Sequence, residues 1–564
     1  MILRRLVELA ERLPDLPPTG YQPGFITKIV RLRSDGSLLD VVPTTGEKRG
    51  KREGLTMMVP REMPQRTSET RPRLLCDNAN YVLEKTRKKD TPEKVAQRHA
   101  AYRALLEECV QHTSDPSVKA VLQWVDHGGP EALRDDPKIA EDDEFAFEVD
   151  GVRPVDLKSV RDFWANQSPA EHRGVCIATG RSGPIVARMP APIKGIPGGQ
   201  PSGTALISVN NPSGCSYGLE AAYNSPIGVK TAEQASNALN WLLSDDRHRL
   251  PIGRTVFVYW TREPVEFDLW NLLHQPDPAH VGRLISAVRR GGTLPQIDDS
   301  DFYVLALSAY VSRVVVRDYL ETTLQRLQLC LGRWFALLDL VSNNGVPSNP
   351  PGLFALSASL YREVADMAPD IPAILLRSAI TGAPLPERLL ALAIRRNQSM
   401  QGPFYELNKR RRISEPRMAL IKALIQQNQK EDIPLEALAT IHPDPAYHCG
   451  RLLAALDRIQ RAALGDINAT VVDKFYGSAC ASPGSVLGAL LNNAQSHLAK
   501  LRKDNRDYFH QLLLEEILSA IGPSFPRTLS LHRQGLFALG FYHQKAHDRA
   551  QATANKTAKE GATA

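Results

Sequence analysis

The pattern of apolar residues changes near residue 300. Before that point, short segments alternate between apolar and polar residues, as in KIVRLRSDGSLLDVV, whose Asp35-Gly36 pair is a strong hairpin signal. Beyond it, apolar residues recur at helical spacing, as at Leu487, Leu490 and Leu498. The sequence therefore predicts an α+β fold, with β-containing N-terminal and middle regions followed by a mostly α-helical C-terminal bundle.

The length of the chain predicts several domains. At 564 residues it is too long for one hydrophobic core of ordinary size. Its last residues, DRAQATANKTAKEGATA, are small and polar and favour disorder. The predicted parts are an N-terminal β-containing basic domain over 1–140, a second α+β region with a glycine-rich loop over 141–300, a helical connector over 301–390, a C-terminal helical bundle over 391–548 and a disordered tail over 549–564.

Charge is segregated along the chain. Residues 1–103 contain 21 Lys and Arg against 13 Asp and Glu, and residues 391–564 contain 23 against 15, so each end carries a net charge of +8. The chain as a whole carries +7, which leaves −9 for the middle. Two basic ends indicate a polyanionic partner, because phosphate neutralisation supplies most sequence-independent affinity for nucleic acid. A solvated basic surface without a partner is the alternative.

Cysteine usage and hydropathy predict a cytoplasmic protein. The seven cysteines are scattered and form no CxxC pair, so reduced core thiols are expected. No apolar run approaches the roughly 20 residues that a membrane-spanning helix needs. The first residues, MILRRLVELAERL, interleave charges with apolar residues and predict an amphipathic helix rather than a secretory signal.

The stretch KGIPGGQPSGTALISVNN comes close to a phosphate-binding loop. Gly198 and Gly203 have the required spacing, but Thr204 stands where the catalytic lysine belongs and Ala205 where the hydroxyl belongs. The segment TALISVNN that follows alternates like a strand, whereas a phosphate loop opens a helix. Nucleotide hydrolysis is therefore not expected. A flexible loop that approaches a polymer closely and a plain cluster of turns both remain open.

Two other stretches resemble metal or catalytic sites but lack the complete pattern. They are His442, His448 and Cys449 in IHPDPAYHC, and Asp298, Asp299 and Asp301 in IDDSDFY. The first lacks a fourth ligand at paired spacing, and a solvated acidic turn explains the second. No catalytic residue, metal or cofactor is therefore predicted, and a magnesium-dependent nuclease using the three aspartates stays an alternative.

Basic side chains concentrate in two places that suit nucleic acid. Eight lie near the N-terminus, several of them in predicted loops: Lys48, Arg49, Lys51, Arg52, Arg61, Arg66, Arg71 and Arg73. In the C-terminal region, the spacing predicts Arg451, Arg458 and Arg461 on the outer face of one helix and places Lys500, Arg502 and Lys503 at the end of another. Asn78 and Asn80 can read base edges, and they are equally suited to capping the helix that follows.

Six motifs in a consistent order resemble one known family. They are PPTGYQPGFITKIVRLRSDGSLLDVV, RPRLLCDNANYVLE, IKGIPGGQPSGTALISVNNPSGCSYGLEAAYNSPIG, FYVLALSAYVSRVVVRDY, FYGSACASPGSVLGALL and GLFALGFYHQ. The chain resembles the large subunit of the type I-C CRISPR Cascade, an RNA-guided surveillance complex. The resemblance implies a non-cleaving subunit that reads the target-flanking motif (PAM) in double-stranded DNA, promotes R-loop formation and helps recruit the helicase-nuclease.

The resemblance also implies partners and a small second product. The partners are the CRISPR guide RNA, target double-stranded DNA, the backbone and 5′-handle-binding subunits, a small helical subunit and the helicase-nuclease, with no membrane. In this subtype the small subunit can be translated from within the large-subunit gene, and Met418 is a suitable internal start. A nucleic-acid-binding scaffold without motif preference is a further alternative.

With this resemblance, the candidate residues take two roles. The eight N-terminal cations are expected to contact the phosphates of the flanking duplex. Gln200 is expected to act as a wedge between base pairs. The residues expected near the base edges are Asn78, Asn80, Lys194, Gly198, Gly199, Gln200, Ser202, Asn210 and Asn211. The displaced strand is expected to lie on Arg451, Arg458, Lys474, Tyr476, Lys500, Arg502 and Lys503, with stacking on Tyr476.

Overall fold

The computed structural model describes residues 1–14, 16–50, 52–61, 70–87, 90–167, 172–209, 212–215, 217–263, 273, 276–277, 281, 300–399, 404–407, 410–427, 435–465 and 467–563. About 50% of the chain is helix and 18% is strand, which confirms the predicted α+β class. The chain forms two compact units. The first contains 1–195, 199–244 and 310–314, and the second contains 196–198, 245–309 and 315–564.

The first unit contains two sheets and a small ribbon. Its strands are β1 Tyr21–Ile26, β2 Lys28–Leu32, β3 Leu38–Pro43, β4 Glu47–Arg49, β5 Arg52–Pro60, β6 Cys76–Asn78, β7 Glu144–Val149, β8 Arg173–Val175 and β9 Ser182–Pro184. One sheet has the order β1-β5-β4, and the other has the order β3-β2-β7-β6. β2 and β7 run parallel, with Lys28 opposite Phe145, and the other pairs of the first unit are antiparallel.

The hairpin predicted at Asp35-Gly36 is confirmed. It joins β2 to β3, and the Gly36 N–H donates to the carbonyl of Arg33 over 2.9 Å. Gly36 has a φ of +81°, a left-handed conformation that glycine adopts without steric cost. A Cβ at this position would lie 2.9 Å from the Cβ of Gln123, so the turn also packs too closely for a side chain.

The described part of the first unit contains seven α-helices. They are α1 Ile2–Ala10, α2 Ala79–Val82, α3 Pro92–Thr113, α4 Pro116–Asp126, α5 Gly129–Arg134, α6 Lys158–Asn166 and α7 Val229–Ser244. Of these, α2 and α4 pack on the β3-β2-β7-β6 sheet. α1 is the predicted amphipathic helix, and it packs on α7 and buries Leu6 and Leu9. α4 starts where the sequence signals a start, because Asp115 accepts from the Ser117 N–H and Pro116 occupies the first turn.

An antiparallel sheet belongs to the second unit except at residues 310–314, which belong to the first. Its strands are β10 Arg249–Ile252, β11 Thr255–Thr261, β12 Asp301–Tyr310 and β13 Arg313–Thr323, in the order β10-β11-β12-β13. β11 is buried from Thr255 through Trp260. The predicted helical connector over 301–390 opens with two of these strands. The β-branched run Val314–Val316 favours β13 at the place where the helical spacing appeared to begin.

Helices follow the sheet. They are α8 Leu324–Leu338, α9 Leu353–Ala358, α10 Ile371–Thr381, α11 Glu387–Gln398 and α12 Glu415–Gln426, with a two-stranded ribbon of β14 Phe404–Leu407 and β15 Arg410–Ile413 between the last two. α12 packs on α8, and its fully buried Lys422 donates from Nζ to the carbonyls of Ala336 and Leu337 over 3.1 Å each. A buried ammonium thus satisfies carbonyls in the last turn of α8.

Within the region predicted as the C-terminal bundle, five described helices follow α12. They are α13 Pro445–Leu464, α14 Val471–Ala481, α15 Pro483–Lys503, α16 Tyr508–Ile521 and α17 Leu531–Thr563. α13 packs against all four others. It touches α17 backbone to backbone, since a Cβ built at Gly450 would lie 1.9 Å from the Phe537 carbonyl oxygen and one at Gly540 would lie 1.9 Å from that of Tyr447.

The segment 549–564, for which the sequence predicts a disordered tail, is helical in its described residues, where α17 continues through Thr563. Alanine recurs throughout this segment and is the strongest helix former, which favours continuation of the helix. Thr553 and Thr557 bond their hydroxyls to carbonyls four residues earlier, which are Arg549 and Thr553.

Candidate nucleic-acid interface

The β4–β5 hairpin presents the N-terminal cations to solvent. Lys48 lies opposite Glu53 and Arg49 opposite Arg52, around a turn at Gly50 with a φ of +62°. All three basic residues are exposed. Lys51 and Arg66, which the sequence adds to this set, lie outside the described residues.

Each arginine of the hairpin has a neighbour within the first unit. The Arg49 guanidinium lies 4.6 Å from the centre of the Phe25 ring, and its Nη2 donates to Thr56 Oγ1 over 3.0 Å. Arg52 donates from Nη1 to the Asp142 carbonyl over 2.8 Å. Lys48 makes no ion pair with any described residue. Both arginines also lie near carboxylates, with Arg49 Nη2 3.6 Å from Glu47 Oε2 and Arg52 Nε 3.4 Å from Asp142 Oδ2, so Lys48 is the hairpin cation without a carboxylate partner among the described residues.

Arg61 is a structural residue rather than an exposed cation. It is buried, and its guanidinium donates to the buried carboxylate of Glu233 in α7. The other oxygen of Glu233 accepts from the Gly20 N–H over 2.7 Å, and the Gly20 carbonyl accepts from the Trp164 indole over 2.9 Å. This network joins the end of β5 to α6 and α7, so the predicted phosphate contact of Arg61 is not available in this conformation.

Arg73 is also buried. Its Nη2 contacts Glu144 and lies 3.5 Å from Asp77 Oδ1. Burial acts to lower the pKa of Arg73, but the two carboxylates hold it above its usual value. Arg73 therefore ties β6 to β7, and the phosphate contact that the sequence predicts for it would require these ion pairs to break. Arg71 is half-buried, and its backbone N–H donates to the Tyr81 hydroxyl over 3.3 Å.

Asn78 and Asn80 are both buried, and their side chains serve the backbone. Asn78 is the N-cap of α2, and its Oδ1 accepts from the Asn80 N–H over 3.1 Å. The Asn80 Nδ2 donates to the Lys85 carbonyl over 2.6 Å. Of the two roles that the sequence left open, the structure shows the helix cap at Asn78. The predicted contact of Asn78 and Asn80 with base edges would require these hydrogen bonds to break.

The glycine-rich loop is closed at its base by residues of the first unit. Ile193 and Thr204 exchange two backbone hydrogen bonds, of 2.7 and 2.8 Å. Asn240 of α7 fastens the entry to the loop, because its Nδ2 donates to the Pro192 carbonyl over 3.0 Å and its Oδ1 accepts from the Lys194 N–H over 2.9 Å. Hydrogen bonds therefore hold both ends of the loop in place.

The loop tip is exposed at Lys194, Gln200 and Ser202, and left-handed backbone occurs at Gly198 with a φ of +76°. Gly199 is half-buried. Gly203 has a φ of +102°, and a Cβ there would lie 2.7 Å from the Pro192 Cβ. Only glycine fits this return of the chain.

The strand predicted over TALISVNN does not form in the described residues. Thr204 and Ala205 make single bridges, to Ile193 and Arg313, and no ladder follows. Asn210 and Asn211 lie outside the described residues. The alternation of apolar residues in this stretch reflects a loop that packs some side chains inward, rather than a pleated strand.

A cavity of about 920 Å³ adjoins this loop within the first unit. Gln200 and Ser202 line it together with Arg188, Glu220 and Ser312. Arg188 and Glu220 supply opposite charges, and apolar residues such as Ile207 supply part of the remaining wall. A concave site with a few polar groups among apolar ones is the usual form of a binding pocket.

In the C-terminal bundle, Arg451 is at 0% exposure and not on an outer face. Its Nε donates to Gln544 Oε1 over 3.0 Å, and its Nη2 lies 2.7 Å from Glu516. The predicted outward placement of Arg451 is wrong, because α13 is surrounded by helices. The same helix keeps Arg458 half-buried in an ion pair with Asp548 at 2.9 Å.

Tyr476 is also misplaced by the sequence prediction. It is only 2% exposed, and its ring makes edge contacts with Phe537 and Phe541 of α17, at centroid distances of 5.8 and 5.4 Å. Burial raises the pKa of its phenol well above the usual value. Tyr476 is a core residue, so it cannot stack on a displaced strand in this conformation.

The remaining predicted cations of the bundle are exposed. Lys474 lies on α14, and Lys500 and Lys503 lie in the last turn of α15. Arg502 is exposed as well, with its Nε 2.9 Å from Asp507 Oδ2. The end of α15 therefore carries positive charge into solvent, as the sequence predicts.

The sequence reasoning missed the exposed rings of Tyr508 and Phe509 at the start of α16. Their sequence signal was the helical spacing of the buried face, Leu514, Ile517 and Ile521, which turns the two aromatic residues outward. They follow the basic end of α15 by only five residues.

The stretches considered for metal binding are occupied by other contacts. Among the described residues, no group of three or more His, Cys, Asp or Glu side chains is arranged to hold a metal ion. His448 is buried and its Nε2 lies 2.7 Å from the His442 carbonyl, while burial raises the pKa of the Cys449 thiol to about 12. Asp301 lies 3.3 Å from Arg262, and its neighbours Asp298 and Asp299 lie outside the described residues.

None of the described helices has both the length and the apolarity needed to cross a bilayer.

Comparison with known proteins identifies the family. No curated protein matches the sequence significantly. A family model described as CRISPR-associated protein (Cas_Csd1) matches residues 4–548, nearly the whole chain. The chain therefore belongs to the CRISPR-associated protein family Cas_Csd1, as expected for a large subunit of a type I-C Cascade.

Proposed function

We propose that the chain is the non-catalytic large subunit of a type I-C Cascade. In this role it recognises the flanking motif in double-stranded DNA, promotes R-loop formation and helps recruit the helicase-nuclease. Family membership implies a CRISPR effector complex. The guide RNA, the target DNA, the other Cascade subunits and the helicase-nuclease are the proposed partners.

One observation carries this proposal: the exposed cations of the β4–β5 hairpin belong to the same compact unit as Gln200 and Ser202, which line the cavity. Recognition of duplex DNA needs both elements. Cations contact phosphates and fix the register of the protein, and polar side chains or wedges contact the base pairs. The proposed phosphate contacts are Lys48, Arg49 and Arg52. The proposed base-pair contacts are Gln200 and Ser202.

The decisive experiment is a screen of flanking bases with the assembled complex. The chain is co-purified with guide RNA and the other Cascade subunits, and target duplexes with randomised flanking bases are selected for binding. Wild-type complex should enrich a short motif, and Gln200→Ala should flatten that enrichment. Gln97→Ala, which removes an exposed glutamine from α3 of the same unit, is the matched control. Retained discrimination by Gln200→Ala removes Gln200 from the reading mechanism.

The hairpin is tested by the salt dependence of duplex binding. Each phosphate contact contributes about 0.9 to the slope of log affinity against log salt. Lys48→Ala should therefore lower the slope by about 1 and weaken all duplexes equally, since phosphates carry no sequence information. Lys94→Ala on α3 is an exposed control. An unchanged slope for Lys48→Ala excludes this residue as a phosphate contact.

The displaced strand is proposed to lie along the basic end of α15. Charge reversal at Lys500, Arg502 and Lys503 should weaken binding to an opened duplex while leaving assembly of the complex intact. Binding is compared at several salt concentrations, because charge contacts lose strength as salt rises. Unchanged binding at every concentration places the displaced strand elsewhere.

Two other functions make different predictions. A metal-dependent nuclease would cut DNA in magnesium or manganese and lose that activity when Asp298, Asp299 or Asp301 is replaced. A motif-independent scaffold would bind all flanking sequences equally. Incubation of the purified chain with DNA and metal, and competition among duplexes that differ only in flanking bases, separate these from the proposed subunit.

We also propose Met418 as an internal start for the small helical subunit. Met418 is buried in the first turn of α12. Met418→Leu keeps an apolar side chain of similar volume there, so the full-length chain should fold as before. If Met418 is the start, this variant abolishes the short product on a gel with an antibody against the C-terminal region. Persistence of the short product means another start is used.

A further inference from the structure

An exposed aromatic pair opens α16. Tyr508 is 63% exposed and Phe509 is 75% exposed, and Leu512 one turn later is 45% exposed. The two rings form an edge-to-face pair with centroids 5.6 Å apart and an interplanar angle of 72°. They do not enter the core, because the buried face of α16 is formed by Leu514, Ile517 and Ile521. Two adjacent rings are therefore left in water with their outer faces open to a ligand.

Positive charge borders this pair. The turn between α15 and α16 is tight, because the Arg506 N–H returns to the Leu501 carbonyl over 3.0 Å. Along the chain, Tyr508 follows Arg506 by two residues, Lys503 by five and Lys500 by eight. All three cations are exposed, and none of them forms an ion pair with a described residue. Arg502 is held by Asp507, the residue directly before Tyr508, with its Nε 2.9 Å from Oδ2.

We infer that Tyr508 and Phe509 form a stacking platform for single-stranded nucleic acid, with Lys500, Lys503 and Arg506 as its phosphate contacts. Single-strand-binding proteins combine these two elements, since every base has a π-face and every nucleotide a phosphate. The inference rests on the proposed function, in which the displaced strand is the ligand. It assigns to this pair the stacking role that the buried Tyr476 cannot perform.

The charges around the pair favour nucleic acid over an apolar protein surface. A purely apolar partner would leave three cations without counter-charge at the edge of its contact, and burial of unpaired charges is costly. The acidic neighbours limit the platform. Asp504 lies in the turn, and Glu515 lies about two turns along α16 from Tyr508. A strand that crosses the start of α16 meets the cations and avoids Glu515.

Stacking and charge contribute separately, so they can be measured separately. Loss of one aromatic stack costs about 1–3 kcal/mol per base, which is roughly a 5- to 150-fold loss of affinity. Loss of a phosphate contact lowers the salt slope by about 0.7 for a single strand. Replacing the rings should therefore weaken binding at every salt concentration without changing the slope. Replacing the three cations should lower the slope by about 2.

The experiment uses the purified full-length chain and a fluorescein-labelled oligothymidine of about 20 nucleotides, which is longer than one typical single-strand site. Anisotropy is measured at salt concentrations from about 50 to 300 mM, a range over which ionic contacts weaken strongly. Tyr508→Ala/Phe509→Ala should weaken binding at least roughly tenfold with an unchanged slope. Phe509→Trp alone should keep wild-type binding, and its fluorescence should be quenched when unlabelled oligonucleotide is added. Phe354→Ala removes another exposed ring of the second unit as the control.

The outcomes are distinct. If the double alanine variant binds oligothymidine as tightly as wild type, the platform is wrong, whatever the flanking-base screen shows. If the variant instead no longer co-purifies with the other Cascade subunits, the pair is a protein interface and the inference is also wrong. If the variant loses oligothymidine binding but keeps motif selection, the platform is supported. If the wild-type complex selects no motif in the flanking-base screen, and the double alanine variant still loses oligothymidine binding, the proposed motif recognition is wrong but the stacking platform is supported.

Discussion

The crossing of α13 and α17 predicts that Gly540→Ala destabilises the second unit. The Cβ of an alanine at Gly540 would lie 1.9 Å from the Tyr447 carbonyl oxygen and 2.8 Å from its carbonyl carbon. Ordinary contacts of a Cβ begin at 3.4 Å, so the two helices must separate by about 1.5 Å. The clashing atoms belong to the backbone, and therefore no rotamer change can relieve the contact.

The expected loss follows from two opposing effects. Insertion of a methyl group into a packed core costs about 1–3 kcal/mol and sometimes more. Replacement of glycine by alanine in a helix recovers about 1 kcal/mol. Since the whole crossing must open, we expect the upper part of the range, which is a net loss of about 2 kcal/mol. Gly450→Ala should act in the same direction, because its Cβ would lie 1.9 Å from the Phe537 carbonyl oxygen.

The assay is denaturant unfolding of the full-length chain, followed by far-ultraviolet circular dichroism. Gly488→Ala is the matched control, because Gly488 lies within α15 and a Cβ there would meet no atom within 4 Å. That variant should gain up to about 1 kcal/mol from helix propensity alone. If Gly540→Ala is as stable as wild type while Gly488→Ala behaves as expected, the backbone contact between α13 and α17 is refuted.

Three further predictions follow from buried polar groups. Arg61→Ala should destabilise the first unit by about 3–5 kcal/mol, because it leaves the Glu233 carboxylate buried without its partner, and a thermal melt will show this. Asn78→Ala should cost about 1 kcal/mol in the same melt through loss of the α2 cap. Burial lowers the pKa of His543 to about 3, whereas an unfolded histidine titrates near 6.5. The unfolded chain therefore gains a proton first, and stability should fall as pH drops from about 6.5 toward 3, by up to about 1.4 kcal/mol per pH unit. His543→Asn should reduce that slope in urea titrations at about pH 7, 6 and 5, and an equal slope contradicts the assignment.

Local signals account for the parts of the fold that the sequence predicted. The Asp35-Gly36 hairpin depends on two residues and their flanking alternation, and the first-turn signals of α4 depend on Asp115 and Pro116. The capping alternative for Asn78 is also local, since it needs only the two residues that follow. Such features depend only on residues that are neighbours in the sequence, so local sequence patterns are enough to predict them.

Tertiary packing decided the features that the sequence could not predict. Arg451 occupies a polar position on a helix with an apolar stripe, which favours an outward side chain. α13 packs against four other helices, so its polar side is enclosed and Arg451 must find Gln544 and Glu516. Tyr476 is likewise enclosed, because Phe537 and Phe541 of α17 pack against its ring. Tyr508 and Phe509 show the opposite case, because α16 has only one buried face and leaves two large rings in water.

The place of α13 in the bundle has a consequence for synthesis of the chain on the ribosome. α13 is complete at residue 464, but α17, which it touches most closely, begins at residue 531. At typical rates of about 5–20 residues per second, the face of α13 that α17 covers waits several seconds for its partner. A nascent chain paused in this interval would offer that face to chaperones, and interruption there would release a product in which it stays uncovered.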